Sequence, residues 1–144
     1  MSLHGLKISN GDLAVRGDGQ IELVSGPKRI EQDLTCWSLE PLRTDRMYPR
    51  FGSTLSTYIG AISSKENHGE IRSEVTRIVN NYMAYQQKRI EAASLYDMQN
   101  VWTTDEIIGA VSIIRLVPES TNVAIEVELE TLDKQISIIP IENL

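Results

Sequence analysis

Between Glu70 and Val101 the chain contains neither glycine nor proline. Both residues are poor in a helix interior, by roughly 1 and 3 kcal/mol against alanine, so an unbroken run of this length favours one long helix. Ile71, Val75, Ile78, Val79 and Tyr82 fall on a single helical face, while Glu70, Glu74, Arg77, Gln87, Lys88 and Glu91 lie largely off it. Asn67 and Glu70 have capping-box spacing, and Ala92-Ala93 favour continuation. The pattern predicts a helix from about Gly69 to about Asp97. A shorter helix is predicted ahead of it, from Ser25-Gly26-Pro27 to about Leu39. Ser25 offers a capping hydroxyl, Pro27 suits the first helical position, and Ile30, Leu34 and Trp37 make one apolar stripe. Gln32 and Asp33 lie off that stripe. Cys36 sits beside it as a small packed hydrophobe.

The last third changes period. Asn122–Glu130 alternates strictly, with Val123, Ile125, Val127 and Leu129 on one face and Glu126, Glu128 and Glu130 on the other. That is the pattern of a half-buried antiparallel strand. Ile113–Val117 is a further strand, stopped by Pro118. Thr131–Lys134 turns the chain into Gln135–Ile141, where Pro140 lacks a donor and so marks an edge strand. An apolar edge strand is able to pair with another chain. Thr103–Glu106 has the spacing of a capping box and predicts a short helix through about Val111. Near the start, Asp12–Val15 and Gln20–Val24 flank Arg16-Gly17-Asp18-Gly19 and predict a β-hairpin. The expected fold is α+β and a single domain over 1–144: an N-terminal hairpin, amphipathic helices including one long one, and a C-terminal antiparallel meander with an exposed edge.

Between the two helices lies a loop, Glu40–Leu55, rich in guanidinium and aromatic groups: Arg43, Arg46 and Arg50 with Asp45, Tyr48 and Phe51. Pro41 and Pro49 punctuate it. Gly52 is suited to a positive φ, and Ser53 to capping a short helix over Thr54–Ile59. Two readings stand side by side: a surface that recognises a partner, or a connector whose arginines satisfy groups of its own protein.

Composition narrows the function classes. With 144 residues, 41% apolar and 24% charged, the chain is long enough for a real core. Its net charge of −6 argues against general nucleic-acid binding. The charge is uneven: 43–50 is basic, while Glu126, Glu128, Glu130, Asp133 and Glu142 face only Lys134. Such polarity suits head-to-tail docking. The single cysteine allows no internal disulfide and no thiolate cluster, and points to a reducing compartment. No signal-peptide pattern and no apolar run near the ~20 residues of a membrane span are present. His4 and His68 have no metal or triad spacing, and no glycine motif cradles phosphate, so no catalytic, cofactor or metal residue is assigned. Glu31, Asp33, Glu40 and Asp45 are the carboxylates from which a glycosidase pair would have to be drawn.

One set of residues carries a family resemblance: Gln32-Asp33-Leu34, Leu42-x-Thr44-Asp45-Arg46, Pro49-x-Phe51-Gly52-Ser53-x-Leu55 and Arg89-Ile90. In this order they resemble the baseplate-wedge and sheath-initiator family of contractile phage tails, whose relatives include a subunit of the type VI secretion baseplate. The family's Gly-Glu-Arg is represented by Thr44-Asp45-Arg46, without the glycine, and of its Glu-Pro-Arg only Arg89 survives. The resemblance implies a structural protein of the virion, assembled in the host bacterial cytoplasm. It implies the tail sheath protein and other wedge proteins as partners, with tube or hub proteins as further neighbours, and neither nucleic acid nor membrane. It places partner binding on Arg46, Arg50 and Arg89 at the helical side, and on Ile136, Ile138, Ile139 and Ile141 at the C-terminal strand. Some family members carry a lysozyme label, so a peptidoglycan-degrading tail enzyme is the alternative, and a regulatory binding module on the same fold a further one.

Overall fold

The structure, a computed structural model, describes residues 5–10, 12–58, 65–118 and 123–141. Its order is β1 (Gly5–Leu6), β2 (Ile8–Ser9), β3 (Asp12–Leu13), β4 (Leu23–Val24), α1 (Pro27–Leu39), a 3-10 turn (Leu55–Tyr58), α2 (Lys65–Leu95), β5 (Ile108–Pro118), β6 (Val123–Thr131) and β7 (Ile136–Ile141). The fold is α+β, with an N-terminal hairpin and a C-terminal meander.

The three last strands form an antiparallel sheet in the order β5-β6-β7. Ile125, Val127 and Leu129 of β6 are buried, as is Ile139 of β7, and they meet the buried faces of both helices. α1 contributes Ile30, Leu34 and Trp37 and packs over β7; α2 contributes Ile71, Val75, Ile78, Val79 and Tyr82 and packs over β5. The helical stripes and the strand alternation therefore meet in one core. Each buried aliphatic side chain there is worth roughly 1.5–3 kcal/mol in removed apolar surface.

Several boundaries move. α2 begins at Lys65, so Asn67 and Gly69 lie inside it and the Asn67–Glu70 capping box is not its start. The space around Gly69 is open, so packing does not require a glycine there. The cap of α1 is Gly26, at φ 64°, with no side-chain hydrogen bond, rather than Ser25. Thr103–Glu106 opens no helix. It forms a turn in which Glu106 N–H donates to Thr103 O and Thr103 N–H to the Glu106 carboxylate, and the chain then enters β5 at Ile108. Only the Glu106 half of a capping box is made, because the Thr103 hydroxyl donates to Asp105 instead of accepting from Glu106 N–H, and the β-branched run that follows takes the backbone into the sheet. The 3-10 turn replaces the helix expected over Thr54–Ile59, of which Ile59 lies outside the described residues.

The N-terminal hairpin has a third member. Its arms are joined around Val15↔Ile21, with the turn closed by Gly19 N–H to Arg16 O. Below that point the arms part, and 5–9 fills the fork: β1 pairs with β4 and β2 with β3, while Lys7 bonds to Glu22 on one side and Ala14 on the other. Gln32 of α1 latches this segment by accepting from Ile8 N–H and donating to Leu6 O.

Candidate functional site: an open strand edge, an arginine loop and an aromatic cavity

β7 is an edge strand, as Pro140 suggests. Thr131 N–H donates to Gln135 O across the turn, which fixes the hydrogen-bonded positions of the ladder. With Glu130↔Ile136 and Glu128↔Ile138 in register, the N–H and C=O of Ile136 and Ile138 turn away from β6 toward the free edge. Pro140, two residues on, supplies no N–H there. The side chains of Ile136 and Ile138 are 68% and 58% exposed, on the same outer face as Glu126, Glu128 and Glu130. Ile139 is different: at 1% exposure it faces the helices and belongs to the core, so its side chain is not available to a partner. The side chain of Ile141 lies outside the described residues; its backbone continues the ladder opposite Ile125.

The loop closes on itself where the sequence places Gly52-Ser53. Ser53 N–H donates to Glu40 O and Leu42 N–H to Ser53 O, while the Ser53 hydroxyl accepts from Leu55 N–H. Gly52 has φ 92°, and a Cβ there would lie 2.6 Å from Glu40 O and 2.7 Å from Pro41 O, so no other residue fits. The loop is seated by α2. Arg77 donates to Gly52 O (2.8 Å) and grips both carboxylate oxygens of Glu74, which also accepts from Thr54 N–H. Arg77 holds the Glu74 carboxyl below its usual range. The clamp frees the loop's own arginines: Arg43, Arg46 and Arg50 are exposed, as is Arg89 on α2, and among the described residues none of the four forms an ion pair. The loop's arginines thus do not serve as internal counter-ions among the described residues.

Behind the loop lies a cavity of about 420 Å³ between α1, α2 and the 101–102 bend. Its walls include Trp37, Tyr48, Phe51, Tyr82, Tyr85 and Trp102, together with Asp33, Asp45, Arg29 and Arg89. The rings touch in sequence: Phe51 on Trp37 at 4.9 Å, Trp37 on Tyr82 at 5.6 Å, Tyr48 on Tyr85 at 5.5 Å and Tyr85 on Trp102 at 5.8 Å, all edge to face. Asp33 accepts from the Tyr82 hydroxyl at 2.6 Å. Burial raises the Asp33 carboxyl, and burial and the Asp33 charge push the Tyr82 phenol up. The buried indole N–H of Trp102 makes no hydrogen bond to the described residues.

Beneath the cavity a buried network ties three segments together. Glu106 accepts from Gly26 N–H, from Arg29 Nη1 at 2.9 Å and from Thr103 N–H. Gln86 donates to Glu106 O and accepts from Ile108 N–H. Apart from the local Thr103–Glu106 bond, sequence separations of 20 to 80 residues hide this network from local pattern.

No family model, curated protein or solved structure matches the chain. Its function is therefore argued from the surfaces themselves. The carboxylates considered for glycoside chemistry divide between two places. Asp33 and Asp45 line the aromatic cavity, whereas Glu31 and Glu40 line a separate groove of about 1020 Å³ between the N-terminal ribbon and α1. Glu31 is paired with Lys28 and Glu40 accepts from Thr44.

A further surface escaped the sequence reading. Leu6, Ile8, Leu13, Val15, Ile21 and Leu23 are 43–57% exposed. Their pairing as Leu6↔Leu23, Ile8↔Leu13 and Val15↔Ile21 puts all six on one face of the ribbon. Asn10-Gly11, a favoured two-residue hairpin turn, is the signal for the missing strand, and Asn10 has φ 52°.

Proposed function

We propose that this chain is a structural component of a contractile-tail baseplate, seated on wedge proteins by its helical side and starting the sheath through its C-terminal strand. The observation that carries the reading is the free edge of β7, with the backbone groups of Ile136 and Ile138 turned outward beside two exposed isoleucine side chains. Backbone bonds supply affinity in strand addition, and alternate side chains set the register. The arginines Arg46, Arg50 and Arg89, which form no ion pair with the described residues, supply charge for a wedge partner, and the half-exposed apolar face of the ribbon supplies a further contact surface. The proposed place of action is the virion tail, after assembly in the bacterial cytoplasm.

Ile138→Pro tests this reading. Its N–H points away from β6, so proline there spares the internal ladder and removes one of the two donors at the edge. Sheath polymerisation should fail while the urea midpoint of the isolated chain stays nearly unchanged. Sheath assembly at the normal rate on a folded Ile138→Pro protein would contradict the proposal.

A further inference from the structure

We infer that the aromatic cavity receives a cationic side chain of a partner protein, with an arginine guanidinium as its best occupant. The inference is independent of the tail reading, because it concerns the isolated chain and a different face from β7.

Three observations carry it. First, the rings that line the void are steeply tilted on one another: Trp37 on Phe51 at 82°, Tyr48 on Tyr85 at 86°, Tyr85 on Trp102 at 82° and Trp37 on Tyr85 at 59°. A cation that enters a void lined by several aromatic rings is attracted by the quadrupole of any ring face it meets. Second, the protein already uses one of these rings in this way, since the Arg29 guanidinium lies 5.7 Å from the Trp102 ring centroid. Third, the charges lining the box leave an excess of anion. Arg29 is neutralised by the fully buried Glu106, which leaves Asp33 and Asp45 against Arg89. Asp33 gives one oxygen to Tyr82, and Asp45 gives one to Met47 N–H and Tyr48 N–H. In each carboxylate the second oxygen accepts no hydrogen bond from the described residues, and both residues line the cavity. A guanidinium brings planar faces for the rings and a fork of donors for those oxygens, where a lysine brings only a point charge. The volume of about 420 Å³ accommodates the whole side chain with part of its backbone.

The chain's two tryptophans, Trp37 and Trp102, both line the cavity, so intrinsic fluorescence reports directly on occupancy. Titration with N-acetyl-arginine methylamide should give a saturable change at millimolar concentration, with a weaker response to the lysine analogue and none to the glutamate analogue. Asp45→Asn keeps the oxygen that caps the loop and removes the charge; it should weaken binding about threefold or more. Tyr48→Ala, a half-exposed ring, should weaken it similarly with the far-ultraviolet dichroism unchanged. Arg89→Gln should tighten it, because a like charge leaves the mouth. A response that does not saturate overturns the inference, as does equal binding of the glutamate analogue. So does Asp45→Asn or Arg89→Gln binding leaving the arginine analogue's affinity unchanged.

Discussion

The N-terminal ribbon and the C-terminal sheet are built from the same alternation and resolve it in opposite ways. In the sheet, Ile125, Val127, Leu129 and Ile139 face the helices and the glutamates of β6 face outward. In the ribbon, six aliphatic residues share a face that the described residues leave half exposed, and the opposite face carries the Lys7–Glu22 pair. Alternation fixes which residues lie together; only tertiary packing decides whether a helix covers them. α1 and α2 are spent on the sheet. The sheet therefore shares its core with both helices, and the ribbon keeps its apolar face half exposed.

Six substitutions sharpen or break this contrast. The largest effect is expected at the joint between the regions, where Glu106 holds Gly26 and Arg29 at the ribbon's exit and leads into β5. Glu106→Ala leaves a buried arginine without its partner and should cost about 3–5 kcal/mol by urea unfolding. Next, Leu129→Ala should cost about 2–5 kcal/mol, since it opens a cavity in a packed core. Leu23→Ser on the ribbon should stay within about 0.5 kcal/mol, the range of ordinary surface changes. Equal losses at Leu129 and Leu23 would erase the distinction.

The smallest effects are in pH dependence. Glu74 has a folded pKa below its ordinary 4.5, so its contribution is present above that value and is lost as pH falls through the folded pKa. Glu74→Gln should flatten the loss of stability between pH 6 and about pH 3. Glu22→Gln on the ribbon should leave that profile almost unchanged, because its pair with Lys7 is exposed. Asp33 has the reverse sign: its pKa is raised by burial, so the stability that goes with its protonated form is lost as pH rises through the folded pKa. Asp33→Asn, which keeps an acceptor for Tyr82, should raise the unfolding midpoint at pH 7 and have no such benefit in acid.

What the sequence made legible follows the range of the forces involved. The stripes Ile30–Leu34–Trp37 and Ile71–Val75–Val79–Tyr82, the alternation of β6, the edge at Pro140 and the closure at Gly52-Ser53 are local patterns, and all are present. Thr103–Glu106 misled because capping-box spacing does not secure a helix: only the Glu106 carboxylate made its bond, the Thr103 hydroxyl turned to Asp105, and the β-branched residues that follow went to the sheet. The Arg77 clamp, the Arg29–Glu106 pair and the aromatic box depend on residues brought together over long separations, for which periodicity carries no signal. The resemblance assigns Ile139 to partner binding along with the rest of its strand, although its register opposite Val127 places it inside.

The central claim is that the edge of β7 is open in the free chain and occupied in the assembly. Amide hydrogen exchange at Ile136 and Ile138, in the isolated chain and in complex with assembled sheath subunits, tests it most directly. The account predicts fast exchange at both in the free protein, slow exchange in the complex, and protection of Ser137 and Ile139 in either state. Protection of Ile136 and Ile138 in the free monomer, or exchange at both that assembly leaves unchanged, would contradict it.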